Sequence, residues 1–401
     1  MDFQPLSSPL LLQGLLGLIS IVFAELVRDC YHLTGHYWQP LQRLHMLHHK
    51  AYRQDLSVTS PEIYQQAQLY NDVPESAVMV AATALTASLT GNWGIWLGSL
   101  YSLCFLIPAI ARSQGQLLFT DFAHKQGDLT EIPSHWTVNR TYHWRHHFDQ
   151  KNAYYSGHFN LLDRLLGTSL SLKGKVVGVT GASGTLGQAL IAELMRQGAK
   201  PVAFTTSSLP LNTATPNLKV VQWQLGAESE LLSDLQALDI LVINHGVNLY
   251  GDYSATAMQI SYEVNAFSAI RLAELFLGTV TESSHRALKE LWVNTSEAEV
   301  NPAFSPLYEL SKRTLGDLIT LRRLDAPCII RKLIFGPFKS QLNPYGVMSP
   351  SWVAAMAVAL AKRDFRNIIV TINPITYILL PLKEAFQSLY FRLCRGQKTT
   401  S

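Results

Sequence analysis

Val176-Val177-Gly178-Val179-Thr180-Gly181-Ala182-Ser183-Gly184-Thr185-Leu186-Gly187 decides how the second half of this chain folds. A short β-rich run passes into a turn with glycine at every third position, and the turn opens a helical stretch, Gly187–Arg196. A turn of this kind lets the backbone come close to a pyrophosphate at the positive end of a helix. Working outward, four further β-rich runs follow at Val202–Thr206, Leu218–Trp223, Ile240–Asn244 and Leu291–Thr295. They alternate with helical stretches such as Ser268–Leu277. That alternation predicts a Rossmann-type α/β fold with a doubly wound parallel sheet.

Tyr308 and Lys312 stand four residues apart, on one face of a helix. A nearby ammonium lowers a tyrosine pKa and equips the phenol for general acid/base work. Ser296 lies 12 residues before Tyr308, at the end of a strand, and Asn265 lies in the preceding helix. Residues 174–340 resemble the short-chain dehydrogenase/reductase superfamily through these positions and the glycine turn. The resemblance implies Tyr308 as acid/base, Lys312 as its activator, Ser296 as the partner of the substrate oxygen and Asn265 as support of a proton relay. It implies a nucleotide held by Gly181, Ser183, Gly184, Thr185, Leu186, Gly187, Thr206, Asn244, Gly246 and Lys312, with Asn244-His245-Gly246 as a variant of a family segment. Two departures bear on it. Thr185 stands where many members have glycine, and Glu297 follows Ser296 where a second small residue is usual, leaving the serine position open by one residue. The second strand ends Phe204-Thr205-Thr206-Ser207-Ser208 without the carboxylate that would bind a ribose 2′-hydroxyl, so NADP(H) is favoured over NAD(H).

The first half reads differently. Residues Phe3 to Ala24 carry no charge, enough to span a bilayer, and neither Asp2 nor the Glu25–Arg28 exit suits a cleaved leader; a retained anchor is expected. A second uncharged run, Ser76 to Ala111, is broken at Gly91-Asn92 into the arms of a helical hairpin, of which Ser76–Thr90 is short for a full crossing. Arg28, Arg43, Lys50, Arg53, Arg112 and Lys125 then share one membrane face, expected to be cytoplasmic.

Ten of the thirteen histidines precede Phe148. Eight of them form three clusters: His32 with His36; His45, His48 and His49; His143, His146 and His147. Residues three and four apart share a helix face, so each cluster aims its imidazoles one way, and His124 adds another. Eight or nine converging histidines exceed the need of one four-coordinate ion, which points to two metals. His135, His158, His245 and His285 stand outside any cluster.

Residues 10–170 resemble the fatty acid hydroxylase/sterol desaturase superfamily. The matching stretches are Asp29-Cys30-Tyr31-His32-Leu33-Thr34-Gly35-His36, the two HxxHH boxes, Asn152-Ala153-Tyr154, and Leu162-Asp163-Arg164-Leu165-Leu166-Gly167-Thr168. The resemblance implies a membrane protein with a non-haem diiron centre (two Fe) that uses dioxygen, and electrons from an external donor, to hydroxylate or desaturate a lipid. It implies His32, His36, His45, His48, His49, His124, His143, His146 and His147 as ligands, with Asp163 structural.

Bulk composition agrees with a membrane protein, at 48% apolar and 15% charged residues. The net charge of +3 gives no reason to expect nucleic acid. The four cysteines form no CxxC pair, which excludes a zinc ribbon and a disulfide framework. A linker at 168–174 divides a membrane domain, 1–170, from a nucleotide domain, 171–401. Gly336–Pro344 reads as a loop on the substrate side, and Ile375–Cys394 as an amphipathic surface helix or as ordinary domain packing. The expected function is bifunctional: hydroxylation or desaturation of a sterol-, fatty- or isoprenoid-like lipid, then alcohol/carbonyl interconversion. The alternatives are a lipid hydroxylase with a non-catalytic regulatory domain, or a wax-type enzyme forming aldehyde or alkane.

Overall fold

The computed structural model describes residues 8–117, 120–207 and 218–395. Phe3–Ser7 of the expected anchor and Ser208 of the second strand's end lie outside them. The chain divides into two compact units after Ser169.

The first unit is helical: α1 (Ser8–Tyr37), α2 (Gln39–Lys50), α3 (Pro61–Ala67), α4 (Val73–Thr90), α5 (Trp96–Ser113), α6 (Arg140–Phe148) and α7 (Leu161–Leu166). Among the described residues, three segments are long and apolar enough to cross a membrane: Pro9–Tyr37, Pro61–Thr90 and Trp93–Ser113. The second corrects the sequence reading, which began this arm at Ser76. Ser60 caps α3 by accepting from Ile63 N, and a π-helical turn, Gln68–Asp72, carries the helix without a break into α4. Asp72 and Glu75 interrupt the hydropathy but not the helix. Small residues allow α1 and α5 to touch: a Cβ on Gly98 would stand 2.7 Å from Ser20 O.

The second unit is a seven-stranded sheet, parallel throughout, in the order β3-β2-β1-β4-β5-β6-β7. Its strands are β1 (Val176–Thr180), β2 (Lys200–Thr205), β3 (Lys219–Gln222), β4 (Ile240–Ile243), β5 (Glu290–Asn294), β6 (Ile329–Phe335) and β7 (Asn367–Val370). The helices are α8 (Thr185–Arg196), α9 (Leu232–Gln236), α10 (Ala255–Tyr262), α11 (Ser268–Gly278), α12 (His285–Leu288), α13 (Pro306–Arg322), α14 (Pro350–Lys362) and α15 (Thr376–Cys394). Successive strand residues face opposite sides. Val177, Val179, Ile240 and Val242 therefore pack with α8 and α14, while Phe204, Leu241, Ile243 and Leu291 pack with α11 and α13. The strand order reverses between β1 and β4, and in open parallel sheets a ligand binds at the carboxyl ends of the strands at that point.

β6 is buried along its whole length and still carries adjacent charges, Arg331 and Lys332, both with no exposed side-chain surface. They point to opposite faces. Arg331 forms a two-pronged pair with Glu290 at 2.8 and 3.0 Å and reaches Asp364 at 2.9 Å. Lys332 meets Glu299 at 2.7 Å and Glu384 at 2.6 Å. Removing one member of such a pair strands the other charge in a dry interior. Arg331→Met should therefore cost about 3–5 kcal/mol, seen as a lower melting temperature of the second unit by calorimetry, whereas Lys219→Met, at an exposed pair with Asp234, should leave it nearly unchanged.

Candidate functional site

The helices of the first unit sort eight histidines into two sets. His32 and His36 of α1, His45 of α2 and His146 of α6 form one; His48 of α2, His124, and His143 and His147 of α6 form the other. Within each set the donor atoms all lie within 4.8 Å of one another. Each HxxHH box thus serves both sets, because its members project from neighbouring positions on one helix face. His49, the ninth, is in neither set. Its ring centroid lies 4.7 Å from both His146 and His147, and its Nε2 lies 3.1 Å from that of His45. His135, His158, His245 and His285 fall outside both sets.

The fit to metal ions can be tested on distances. The Nε2 atoms of His124, His143 and His147 form a triangle with sides of 3.0, 3.1 and 3.2 Å. His146 Nε2 stands 2.9 Å from His32 Nε2 and 3.2 Å from His36 Nε2. Imidazole nitrogens about 2.1 Å from a common ion would be separated by roughly 3 Å at adjacent positions. Burial and the neighbouring rings depress the imidazole pKa throughout α6 and bring His45 down to about 3. Those rings are therefore neutral, with lone pairs free to bind. Each set can hold a metal ion.

The distal nitrogens are oriented too. His146 Nδ1 donates to Ala153 O at 2.8 Å, His45 Nδ1 meets Asn71 Oδ1 at 2.9 Å, and His124 Nδ1 meets the Asp121 carboxylate at 2.8 Å. His48 Nδ1 lies 3.4 Å from Asp72. Such partners fix the tautomer that presents Nε2 to a metal. Asn71, Asp72 and Asp121 are functional residues missed in the sequence. Only Asp121 left a signal there, as a capping residue three before His124. Asp163 accepts from the backbone of Tyr155 and Ser156 and from the hydroxyls of Tyr142 and Thr168, tying the end of the last box together. A cavity of about 260 Å³ adjoins the sets, lined among others by Arg28, His45, His48, Asp72 and His143.

In the second unit the glycine turn lies at the carboxyl end of β1. Gly181 has φ +63°, and a Cβ on Gly187 would stand 2.2 Å from Gly181 O, so both positions require glycine. Ser183 Oγ accepts from Thr205 Oγ1 at 3.2 Å, and Thr185 and Leu186 begin α8. Thr206 follows the end of β2. Thr180 Oγ1 accepts from Asn244 N at 2.9 Å, and Asn244 Oδ1 accepts from Asn294 Nδ2 at 3.0 Å. Gly246 packs against Asn265 Oδ1, which a Cβ there would approach to 3.0 Å. Asn265 sits in a π-helical turn and bonds the backbone of Val247 at both ends of its amide (2.8 and 2.9 Å).

Ser296 hydrogen-bonds Tyr308, a contact that lowers the phenol's pKa, but burial prevails and holds it above its ordinary value. Lys312 Nζ lies 6.0 Å from the Tyr308 ring centre and donates to Asn294 O at 3.1 Å. Burial brings Lys312 itself down to about 8, against the opposing pull of Glu299. Glu297, the departure after Ser296, turns away and accepts from Thr371 at 2.6 Å and Thr376 at 3.1 Å. Ser296 is left against Tyr308 at φ +106°, a strained angle for a residue with a side chain.

The chain is 55% identical over 399 residues to the monoglucosyldiacylglycerol epimerase of Synechocystis sp., covering 95% of this chain and 97% of that protein. Similar solved structures include a short-chain dehydrogenase of Burkholderia cenocepacia in complex with NADP, at 17% identity and a TM-score of 0.46, covering 57% of this chain and all of that one. An alcohol dehydrogenase of Thermococcus sibiricus complexed with 5-hydroxy-NADP is 18% identical with a TM-score of 0.44, covering 51% and 98%. No protein-family model matches the chain. Purified chain supplied with metal should hold about two ions. His146→Ala and His143→Ala, one from each set, should each release about one of them, as read by elemental analysis.

Proposed function

The chain belongs to the family of the Synechocystis monoglucosyldiacylglycerol epimerase, and on that footing we propose that it inverts one hydroxyl-bearing carbon in the sugar headgroup of a membrane glycolipid. It is a lipid-related enzyme of the short-chain oxidoreductase and epimerase kind. The near full-length identity of 55% carries this reading. A nicotinamide dinucleotide, held by Gly181, Ser183, Gly184, Thr185, Leu186, Gly187, Thr206, Asn244, Gly246 and Lys312, supplies an acceptor and later a donor for one hydride. Without a carboxylate at Thr206, NADP(H) is the favoured form.

The residues of the chain manage the proton and the oxygen. Tyr308 Oη takes the proton of the sugar hydroxyl as the carbon loses its hydrogen, and gives it back when the carbonyl is reduced from its other face. Ser296 Oγ, beside Tyr308, donates to the carbonyl oxygen while it exists. Lys312 steadies the tyrosinate, and Asn265 holds the loop at Gly246–Val247 against the same helix through Ser311, at 3.0 Å. One C–H and one O–H bond break and re-form, so the inversion consumes neither oxidant nor reductant.

The two histidine sets favour a second reading for the first unit. There, the two histidine sets would hold two irons, which with dioxygen and electrons from an external donor would supply hydroxylation or desaturation of the lipid, and an alcohol formed by hydroxylation would pass to the nucleotide unit. The eight converging imidazoles support it. On either reading the apolar helices hold the enzyme in the membrane, and Arg28, Arg43, Lys50, Arg53, Arg112 and Lys125 set both sites on the cytoplasmic side.

Purified chain in nanodiscs with NADP(H) should interconvert two glycolipids of equal mass whose sugars differ at one carbon. Tyr308→Phe should slow this by 10²–10⁴-fold, the usual worth of a general acid/base. An unchanged mass without dioxygen supports epimerisation. A product heavier by one oxygen, lost in His146→Ala, supports the second reading. If the glycolipid is neither inverted nor oxidised with metal and nucleotide present, both readings fail.

A further inference from the structure

α15 is built inside out for a helix on a water-facing protein. Its polar side chains face the sheet: Glu384 meets Lys332 at 2.6 Å and accepts from Thr320 at 2.9 Å, Lys383 pairs with Glu299 at 2.9 Å and Asp317 at 2.8 Å, and Gln387 donates to Asp317 at 2.9 Å. Leu380 is buried, but most of its other apolar residues face outward. Ile378, Leu382, Phe386, Leu389 and Leu393 recur at helical spacing, and all are more than half exposed, Leu393 at 76%. A stripe of that length on a soluble surface marks a contact with something apolar.

Three observations name the occupant. The same chain carries three helices able to cross a bilayer, so a membrane is always within reach of the second unit. The outward face of α15 has no carboxylate: its one acidic residue, Glu384, is buried, and its remaining unpaired-side charge is the exposed Arg392 in the last turn. That pattern suits an anionic headgroup layer above an acyl boundary. The start of α15 also borders the nucleotide site, because Thr376 bonds Asn301 at 2.7 Å and Glu297, the neighbour of Ser296, at 3.1 Å.

We propose that α15 lies in the bilayer interface, with Ile378, Leu382, Phe386, Leu389 and Leu393 in the acyl boundary, and that it brings the site around Ser296 and Tyr308 down to the headgroups of lipids still seated in the membrane. The docking stands on α15 alone; the delivery of a headgroup rests on the epimerase reading. The ion pairs beneath the helix prevent it from rolling over to bury its apolar face in the domain.

The test uses the full chain with Cys30, Cys104 and Cys394 changed to Ser, since these thiols are exposed. A nitroxide is attached at Leu389→Cys in vesicles of phosphatidylcholine and phosphatidylglycerol, with exposed Glu282→Cys as the water-facing control. At position 389 collisions with oxygen should rise and collisions with a water-soluble nickel chelate should fall, relative to 282. Chelate collisions as frequent as at 282 would overturn the proposal, and so would an immobile label shielded from both reagents, which indicates a protein cover such as a second copy. In parallel, Phe386→Glu with Leu389→Glu should lower turnover of bilayer glycolipid about tenfold or more, while a short-chain soluble analogue turns over as before. Equal loss on both substrates overturns the delivery claim. If the parent chain converts neither substrate, the epimerase reading fails while the label still reports on docking.

Discussion

The ammonium of Lys332, sealed beneath β6 next to the edge strand of the parallel sheet, determines how the second unit is assembled. It holds two carboxylates at once, Glu299 at 2.7 Å and Glu384 at 2.6 Å. Glu299 packs onto Gly316 of α13 so closely that a Cβ there would stand 2.2 Å from its oxygen. α13 carries Tyr308 and Lys312, so one buried charge sets the depth of that helix. Glu384 belongs to α15, so the same charge also sets which way that helix faces. A buried ion pair adds little net stability over apolar packing, but it tolerates few alternative arrangements. Here it ties three elements from distant parts of the chain to one point.

In the first unit the governing constraint is the close burial of the imidazoles. Nine rings, each at most 8% exposed, face one another across about 3 Å with few counter-charges between them. At His45, His143, His146 and His147 burial first, and then the neighbouring rings, oppose protonation. Asp121, Asn71 and Ala153 O orient the outer nitrogens, so the inner ones converge as acceptors. The arrangement is therefore prepared for cations that bring charge without bringing protons.

Much of this was legible from spacing. The HxxHH boxes announced helix faces, and the glycines at 181, 184 and 187 announced the phosphate turn, because local geometry alone demands them. The division of histidines between two sets was not legible: His32 and His146 meet across 114 positions, and only the packing of α1 on α6 decides that pairing. The crossing that begins at Pro61 was hidden because charged Asp72 and Glu75 turn inward, while hydropathy counts them as if exposed. β6 was missed because Arg331 and Lys332 break its apolar run, and their carboxylate partners lie 33 or more residues away. The orientation of α15 was undecided for a related reason: an amphipathic pattern shows that a helix has two faces, and only the ion pairs show which one is inside.

The composition of the two histidine sets imposes an order on how this protein is made. When synthesis has passed His124, the first set still lacks His146 and the second still lacks His143 and His147. Both are completed by α6, within five residues of each other and after all three apolar helices have emerged. Neither set can close around an ion until the hairpin of α4 and α5 has returned the chain to the side where α1 ended. Metal captured by the two sets would thus report correct insertion. A chain threaded the wrong way keeps every ligand in its sequence and has no place to bring them together.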